Sequence, residues 1–335
     1  MSHGLSMGRL FKLPRFFNFV WYASAEAIAG NLLKPAFMQY HQLGRSDLHI
    51  SEISYGCMSL GSDDADNARL VQQAIDGGIN FFDTADLYDH GRNEITLGKA
   101  LEGKRQDVVI ATKVGNQWRP DGSGWDWNPR REYILSCVEE SLRRLNTDYI
   151  DLYQLHGGTL EDPADETISA FETLVQQGKI RYYGISSIRP NVIRTFVERS
   201  NIVSVMMQYS LLDRRPEESC FPLLEQHNIG VLVRGAVAKG LLVNKAPEPY
   251  LNYDAADVAK AAAAAQRLSV AGRGPAATAL RYVLQQPAVT TAVVGMRTAQ
   301  QVQDALAAAG AVPLTATEIQ QLQQVLPVNR YEQHR

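Results

Sequence analysis

The chain has 335 residues, 45% of them hydrophobic and 21% charged, with a formal net charge of −3. That is ample apolar material for a large core, and no basic excess that would draw the protein to nucleic acid. Three widely spaced cysteines, Cys57, Cys137 and Cys220, exclude a disulfide framework or a paired-cysteine zinc site and fit a reducing, cytoplasmic setting; no apolar run reaches the roughly 18 residues of a stable membrane span.

Residues 1–37 differ from the rest. Arg9, Lys12 and Arg15 precede the aromatic-rich Phe16-Phe17-Asn18-Phe19-Val20-Trp21-Tyr22, and Ala23-Ser24-Ala25 follows. A basic start, a short apolar stretch and a small-residue exit suit a signal peptide; the same residues suit an amphipathic anchor. A third reading starts the native protein at Met38. The main domain is expected over 38–335.

His41-Gln42-Leu43 and Leu48-His49-Ile50, separated by Gly44-Arg45-Ser46, read as a hairpin. From there strand and helix signals alternate. Ile53–Gly56 is a strand and Asn67–Gly77 a helix with Leu70, Ala74 and Ile75 on one face. Asn80–Phe82 is a strand, Asn93–Leu101 a helix, and Val108–Ala111 a buried strand. Pro129–Leu145 is a helix, its proline suited to the first turn. Ile150–Leu155, Ile180–Ile185, Val203–Met207, Gly230–Val233 and Thr290–Val294 are the further strands. Helices are expected over Glu166–Gln177, Asn191–Arg199, Glu217–Gln226, the alanine-rich Ala255–Ala265, Gly274–Gln286 and onward from Thr298. Thr315-Ala316-Thr317-Glu318 is a capping box opening a last helix with Ile319, Leu322 and Val325 inward. Alternating β and α elements imply a parallel sheet, and eight strands imply its closure into a (β/α)8 barrel with an N-terminal hairpin and extra C-terminal helices.

Two features invite misreading. Gly98-Lys99-Ala100-Leu101-Glu102-Gly103-Lys104 nearly matches a phosphate-binding P-loop, but it ends in Arg105 and lies at a helix end. No Gly-x-Gly-x-x-Gly opens a βαβ unit, which disfavours a Rossmann dehydrogenase, and no His-Glu-x-x-His marks a zinc hydrolase. The long connection Gly115–Asn128 holds Trp118, Trp125 and Trp127. These rings either line a substrate pocket or pack the loop down; the sequence leaves both open.

Four pieces of chain carry chemistry: Asp83-Thr84-Ala85-Asp86-Leu87-Tyr88, Ile110-Ala111-Thr112-Lys113, Tyr153-Gln154-Leu155-His156 and Gly295-Met296-Arg297-Thr298. Each follows an expected strand, and in a parallel barrel those strand ends share one face. In this order they resemble the aldo-keto reductase family from about Met38 to the C-terminus, and Met38–Gly44 is similar to the usual family start. The resemblance implies Asp83, Tyr88, Lys113 and His156 as the catalytic set of a carbonyl reductase. Tyr88 would give the proton, its phenol (ordinarily near pKa ~10) lowered by Lys113. Asp83 would hold Lys113, and His156 would orient the carbonyl oxygen. Met58, Tyr88, Trp118 and His156 would meet substrate.

The resemblance also implies NADP(H). Glycine at Gly295, beside Met296 and Arg297 at a helix start, suits a phosphate, with Arg297 on the 2′-phosphate; an ordinary turn with a solvated arginine is the alternative. Gln301 and Asp304 are similar to positions that contact adenosine, although Ala305 stands where the family often has asparagine. Ser186 and Ser187 resemble a Ser-Asn pair on the nicotinamide carboxamide, and Gln208 the glutamine sharing that task. Arg234, with Gly235, Ala236, Val237 and Gly240 beyond it, lies where many members place an aromatic against the nicotinamide; a guanidinium stacks similarly. Gly56, Cys57 and Met58 resemble the turn beneath that ring, with Cys57 in a packing role. The family includes potassium-channel β subunits with the same four residues, so a cofactor-sensing regulatory subunit docked through residues 1–37 is the alternative to a reductase of small carbonyl compounds.

Overall fold

A computed structural model describes residues 38–335; the leader, anchor, late-start and docking expectations for residues 1–37 lie outside the described residues. The fold begins with an antiparallel hairpin, β1 (Tyr40–Gln42) and β2 (His49–Ser51). Then come β3 (Ile53–Gly56), β4 (Phe81–Asp83) and β5 (Val109–Val114). A side hairpin of β6 (Asn116–Trp118) and β7 (Trp125–Trp127) follows. The remaining strands are β8 (Ile150–Leu155), β9 (Ile180–Ser186), β10 (Ser204–Gln208), β11 (Gly230–Arg234) and β12 (Val289–Gly295). Apart from the two hairpins, the strands pair in parallel, in chain order, and close with β12 against β3. This is the expected (β/α)8 barrel.

Helices cover the outside: α1 (Asp64–Asp76), α2 (Arg92–Ala100), α3 (Arg131–Leu145), α4 (Ala164–Gln176), α5 (Pro190–Arg199) and α6 (Cys220–Gln226). Then come α7 (Ala255–Arg267), α8 (Pro275–Leu284), α9 (Ala299–Ala309) and α10 (Ala316–Gln323). α1 starts three residues before its expected start because Asp63 caps it, accepting from the N–H groups of Ala65 and Asp66. Its buried stripe is Asn67, Val71 and Ala74, with Leu70 and Ile75 on the flanks. The capping box at Thr315 forms as expected. Gly98, in the P-loop look-alike, lies inside α2, where a Cβ would come 2.7 Å from the Leu145 carbonyl oxygen of α3; it permits helix contact and has no phosphate role.

Two apolar compartments follow from strand alternation. Outward residues such as Tyr153 and Leu155 join the helices, whereas Phe81, Val109, Ala111, Leu152, Met206, Leu232 and Val293 cluster with Leu43, Leu48 and Ile50 of the hairpin. The hairpin therefore plugs the end of the barrel where the strands begin. The Gly115–Asn128 connection, expected to be irregular, forms the β6–β7 hairpin instead, with Trp118 directly opposite Trp125.

Candidate active site

The alternation that fills the lumen also sets what lies at its open end. Two residues beyond Phe81 is Asp83; beyond Ala111 is Lys113; beyond Leu152 is Gln154; beyond Met206 is Gln208; beyond Leu232 is Arg234. A floor of apolar side chains thus carries a polar top layer built by the same strands. Lys113 lies inside β5, where the sequence had placed the strand end at Ala111.

Lys113 is fully buried. Its Nζ donates to Asp83 Oδ2 at 2.7 Å, to the Thr84 carbonyl at 2.7 Å and to the Tyr88 hydroxyl at 3.4 Å. Burial opposes the ammonium, but Asp83 and Tyr88 outweigh it and hold the Lys113 pKa above its ordinary value. Burial pulls the Asp83 carboxyl upward, against the ammonium and the Gln154 amide, which donates to Oδ1 at 3.3 Å. The ammonium also lies 5.0 Å from the Tyr88 ring centroid. His156, on the loop after β8, sets its ring edge-on to Tyr88 at 5.8 Å. Burial first, then Lys113 and Arg234, lower its pKa to about 3, so the imidazole is neutral near pH 7. The four expected residues therefore converge.

Tyr88 opens an unusual turn. Asp89 and His90, neither a glycine, both adopt left-handed backbone angles, and Gly91 follows at φ 81°. Each non-glycine residue in this region carries strain on the order of 1 kcal/mol or more. The turn brings the His90 ring onto Trp118, 3.7 Å between centroids and nearly parallel. Met58, Leu87, Tyr88, His90, Trp118 and Trp125 line a cavity of about 650 Å³; Met58 is 70% and Trp125 46% exposed. Trp127 behaves differently: its Nε1 donates to Asp162 at 2.8 Å, and its ring covers Gly115 and Gly157, where Cβ atoms would lie 2.6 and 3.1 Å from it. Trp118 and Trp125 thus lie at the cavity wall, whereas Trp127 packs the loop down.

The expected cofactor residues form the rim on the other side. Gly56 and Gly295 are register partners at the ends of β3 and β12. Ser59 Oγ ties these ends, its one hydroxyl proton shared between the carbonyls of Gly56 and Met296, each at 3.0 Å. Met296 and Cys57 bury their side chains. Burial raises the Cys57 thiol well above its ordinary pKa, consistent with packing rather than nucleophilic work. Ser186 ends β9, and Ser187 is buried with its Oγ accepting from the Arg189 N–H. Gln208 and Arg234 are bonded to each other at 3.0 Å, and Gly235 and Gly240 turn the following loop at positive φ. Ala236 is buried and Val237 partly so. Arg297 is exposed and makes no ion pair among the described residues, directly before α9, whose N-cap is Thr298. A free guanidinium beside a helix N-terminus fits a phosphate. Gln301 Oε1 accepts from the Arg297 N–H at 2.8 Å, Asp304 accepts from Gln300 on the surface, and Ala305 packs into the core.

Sequence reading missed Gln154 as an Asp83 partner and Asn93. Asn93 Oδ1 accepts from Thr84 and its Nδ2 donates to the Cys57 carbonyl at 2.8 Å, joining the loops after β4 and β3. Gln154 was accessible through the inward phase of Leu152; Asn93 carried no comparable signal.

Barrel, polar layer and rim define an oxidoreductase of the aldo/keto reductase family, and the chain belongs to it: the family's model matches residues 52–327. Among its relatives, the uncharacterized oxidoreductase YqkF of Bacillus subtilis is 49% identical over 89% of this chain and all of that protein. The holo form of the aldo-keto reductase AKR11C1 from Bacillus halodurans is 52% identical, with a TM-score of 0.84 over 89% of this chain and 99% of that one. The glycerol dehydrogenase AKR11B4 from Gluconobacter oxydans is 27% identical, with a TM-score of 0.78 over 88% and 99%.

Proposed function

We propose that the protein reduces small aldehydes or ketones to alcohols with NADPH, in the cytoplasm. The observation that carries this reading is the buried Lys113 ammonium, bound to Asp83 and 3.4 Å from the hydroxyl of Tyr88, a residue that lines the cavity. A reduced nicotinamide, when bound, is the source of hydride. The chain's residues then supply the proton and the field. Tyr88 donates its hydroxyl proton to the carbonyl oxygen, leaving a phenolate that the Lys113 ammonium, 3.4 Å from that oxygen, stabilises. Asp83, with Gln154 behind it, keeps the ammonium in place. The neutral His156 ring donates a hydrogen bond to the same oxygen, orienting it and stabilising charge as it develops. Ser186, Ser187, Gln208 and Arg234 would hold the nicotinamide end, and Arg297 the 2′-phosphate. Met58 and Trp118 would face the rest of the substrate, whether a sugar aldehyde, an aromatic aldehyde or a dicarbonyl such as methylglyoxal.

The test is loss of NADPH absorbance with a panel of aldehydes, with Tyr88→Phe alongside. Wild-type turnover should fall by at least about 100-fold in the variant; full turnover by Tyr88→Phe would remove the proton-donor assignment.

A further inference from the structure

Gln208 has no N–H left to offer. Its Nε2 donates to Asp213 Oδ2 and to the Tyr250 hydroxyl, both at 2.9 Å. Asp213 is fully buried, and Arg215 grips it with two bonds, Nε to Oδ1 at 2.7 Å and Nη2 to Oδ2 at 2.8 Å. The Tyr331 ring covers that guanidinium at 4.9 Å. With a guanidinium donating to both of its oxygens, this carboxylate presents only acceptors to its neighbours. The amide beside it must therefore face it with nitrogen, and its oxygen is turned to the open rim, where Oε1 accepts from Arg234 Nη1 at 3.0 Å. The approach is close: a Cβ at Gly235 would lie 3.3 Å from Gln208 Cγ. Tyr250 is fixed in turn by reciprocal backbone bonds to Tyr253, whose hydroxyl donates to the Pro327 carbonyl at 2.6 Å.

We propose that Asp213 and Tyr250 are positioning residues that lock the Gln208 amide in one orientation, so that the rim offers a bound ligand an oxygen acceptor there and not an N–H donor. Resting on the nicotinamide reading above, the lock makes the site select a carboxamide, whose NH2 can donate to that oxygen, over a ketone of the same shape. The second lone pair of Oε1 leaves room for this bond beside Arg234.

The test compares dissociation constants, read by tryptophan fluorescence, for NADPH and for its reduced 3-acetylpyridine analogue, in which a methyl ketone replaces the carboxamide. Wild type, Asp213→Asn, Tyr250→Phe and Gln208→Leu are measured together with their melting temperatures. One hydrogen bond corresponds to a preference of about two- to tenfold for NADPH in wild type. Asp213→Asn, which can present either end of its own amide, and Tyr250→Phe should each reduce that ratio toward one by weakening NADPH binding, with analogue binding little changed. Gln208→Leu should abolish the preference. Should Asp213→Asn melt too low to assay, Tyr250→Phe carries the comparison. A ratio unchanged in the positioning variants but lost in Gln208→Leu overturns the lock and leaves the nicotinamide reading intact. Wild type that binds both nucleotides equally also overturns the lock, and wild type that binds no NADPH overturns both.

Discussion

Replacing Lys113 by methionine keeps the volume of the side chain and removes its charge, which isolates what the ammonium does for Asp83. Among the described residues, the Asp83 carboxylate would then keep only the Gln154 amide, at 3.3 Å. Breaking a buried ion pair from one side typically costs about 3–5 kcal/mol. The carboxyl can escape that penalty by taking a proton. For an ordinary carboxyl, holding that proton costs at most about 4 kcal/mol at pH 7 and about 1.5 kcal/mol at pH 5. In the variant the folded-state pKa of Asp83 stands above its unfolded value. The folded form therefore binds the proton more tightly, and stability present below about pH 4 is lost as the pH rises toward 7. Urea unfolding of wild type and Lys113→Met at pH 5 and pH 7 reads this directly: the deficit should be a few kcal/mol at pH 7 and markedly smaller at pH 5. Adding Asp83→Asn to Lys113→Met should recover most of it at pH 7. A deficit independent of pH, or a double variant no more stable than Lys113→Met, would show that the ammonium is not what stabilises the Asp83 charge.

Three further outcomes follow from the same geometry. With its pKa lowered to about 3, His156 should stay neutral down to pH 5 in NMR spectra of ring-labelled protein, and because the unfolded chain binds that proton more readily, it lowers stability as pH falls below about 6.5; a His156 resonance titrating near pH 6 contradicts this. Asp86 is pushed up to about 8 by burial and by the neighbouring Glu94, so the folded state holds an extra proton and loses stability as pH rises from about 4 toward 8; Asp86→Asn should gain on wild type in melting temperature between pH 5 and pH 8, and a constant difference would count against it. His90→Ala removes a stack worth about 0.5–1.5 kcal/mol from the cavity wall, so KM should rise about two- to tenfold for aromatic aldehydes and little for short ones; equal changes for both would take Trp118 out of the pocket wall.

Most of the barrel was legible because buried strands read as apolar runs and outer helices as periodic ones. Ile150–Leu155 has the bounds expected of it. The end of β5 was misplaced for a physical reason: a lysine reads as a surface residue, yet Val109, Ala111 and Lys113 keep one inward phase, and Asp83 makes that burial tolerable. The connection of the β6–β7 hairpin does carry a turn signature, Pro120-Asp121-Gly122, closed by the Gly122 N–H on the Arg119 carbonyl at 3.0 Å; the hairpin was hard to read because each of its strands is only three residues long, too short to show alternation. Trp127 could not be separated from Trp118 because its anchors, Gly115, Gly157 and Asp162, meet only in three dimensions. The Asp213–Gln208–Tyr250 cluster joins residues up to 42 positions apart, and no local pattern announces it.

The hairpin plug sets where this gene can be cut. The family match runs over 52–327, but a chain begun at residue 52 would lack Leu43, Leu48 and Ile50. The strand starts around Val109, Leu152 and Leu232 would then face water through an open floor. Met38 is itself buried, and Tyr40 donates to the Gly78 carbonyl at 2.7 Å; at the other end Tyr331 is buried against Arg215. The smallest piece worth expressing therefore spans at least Met38 to Tyr331, longer at its start than sequence similarity alone would advise.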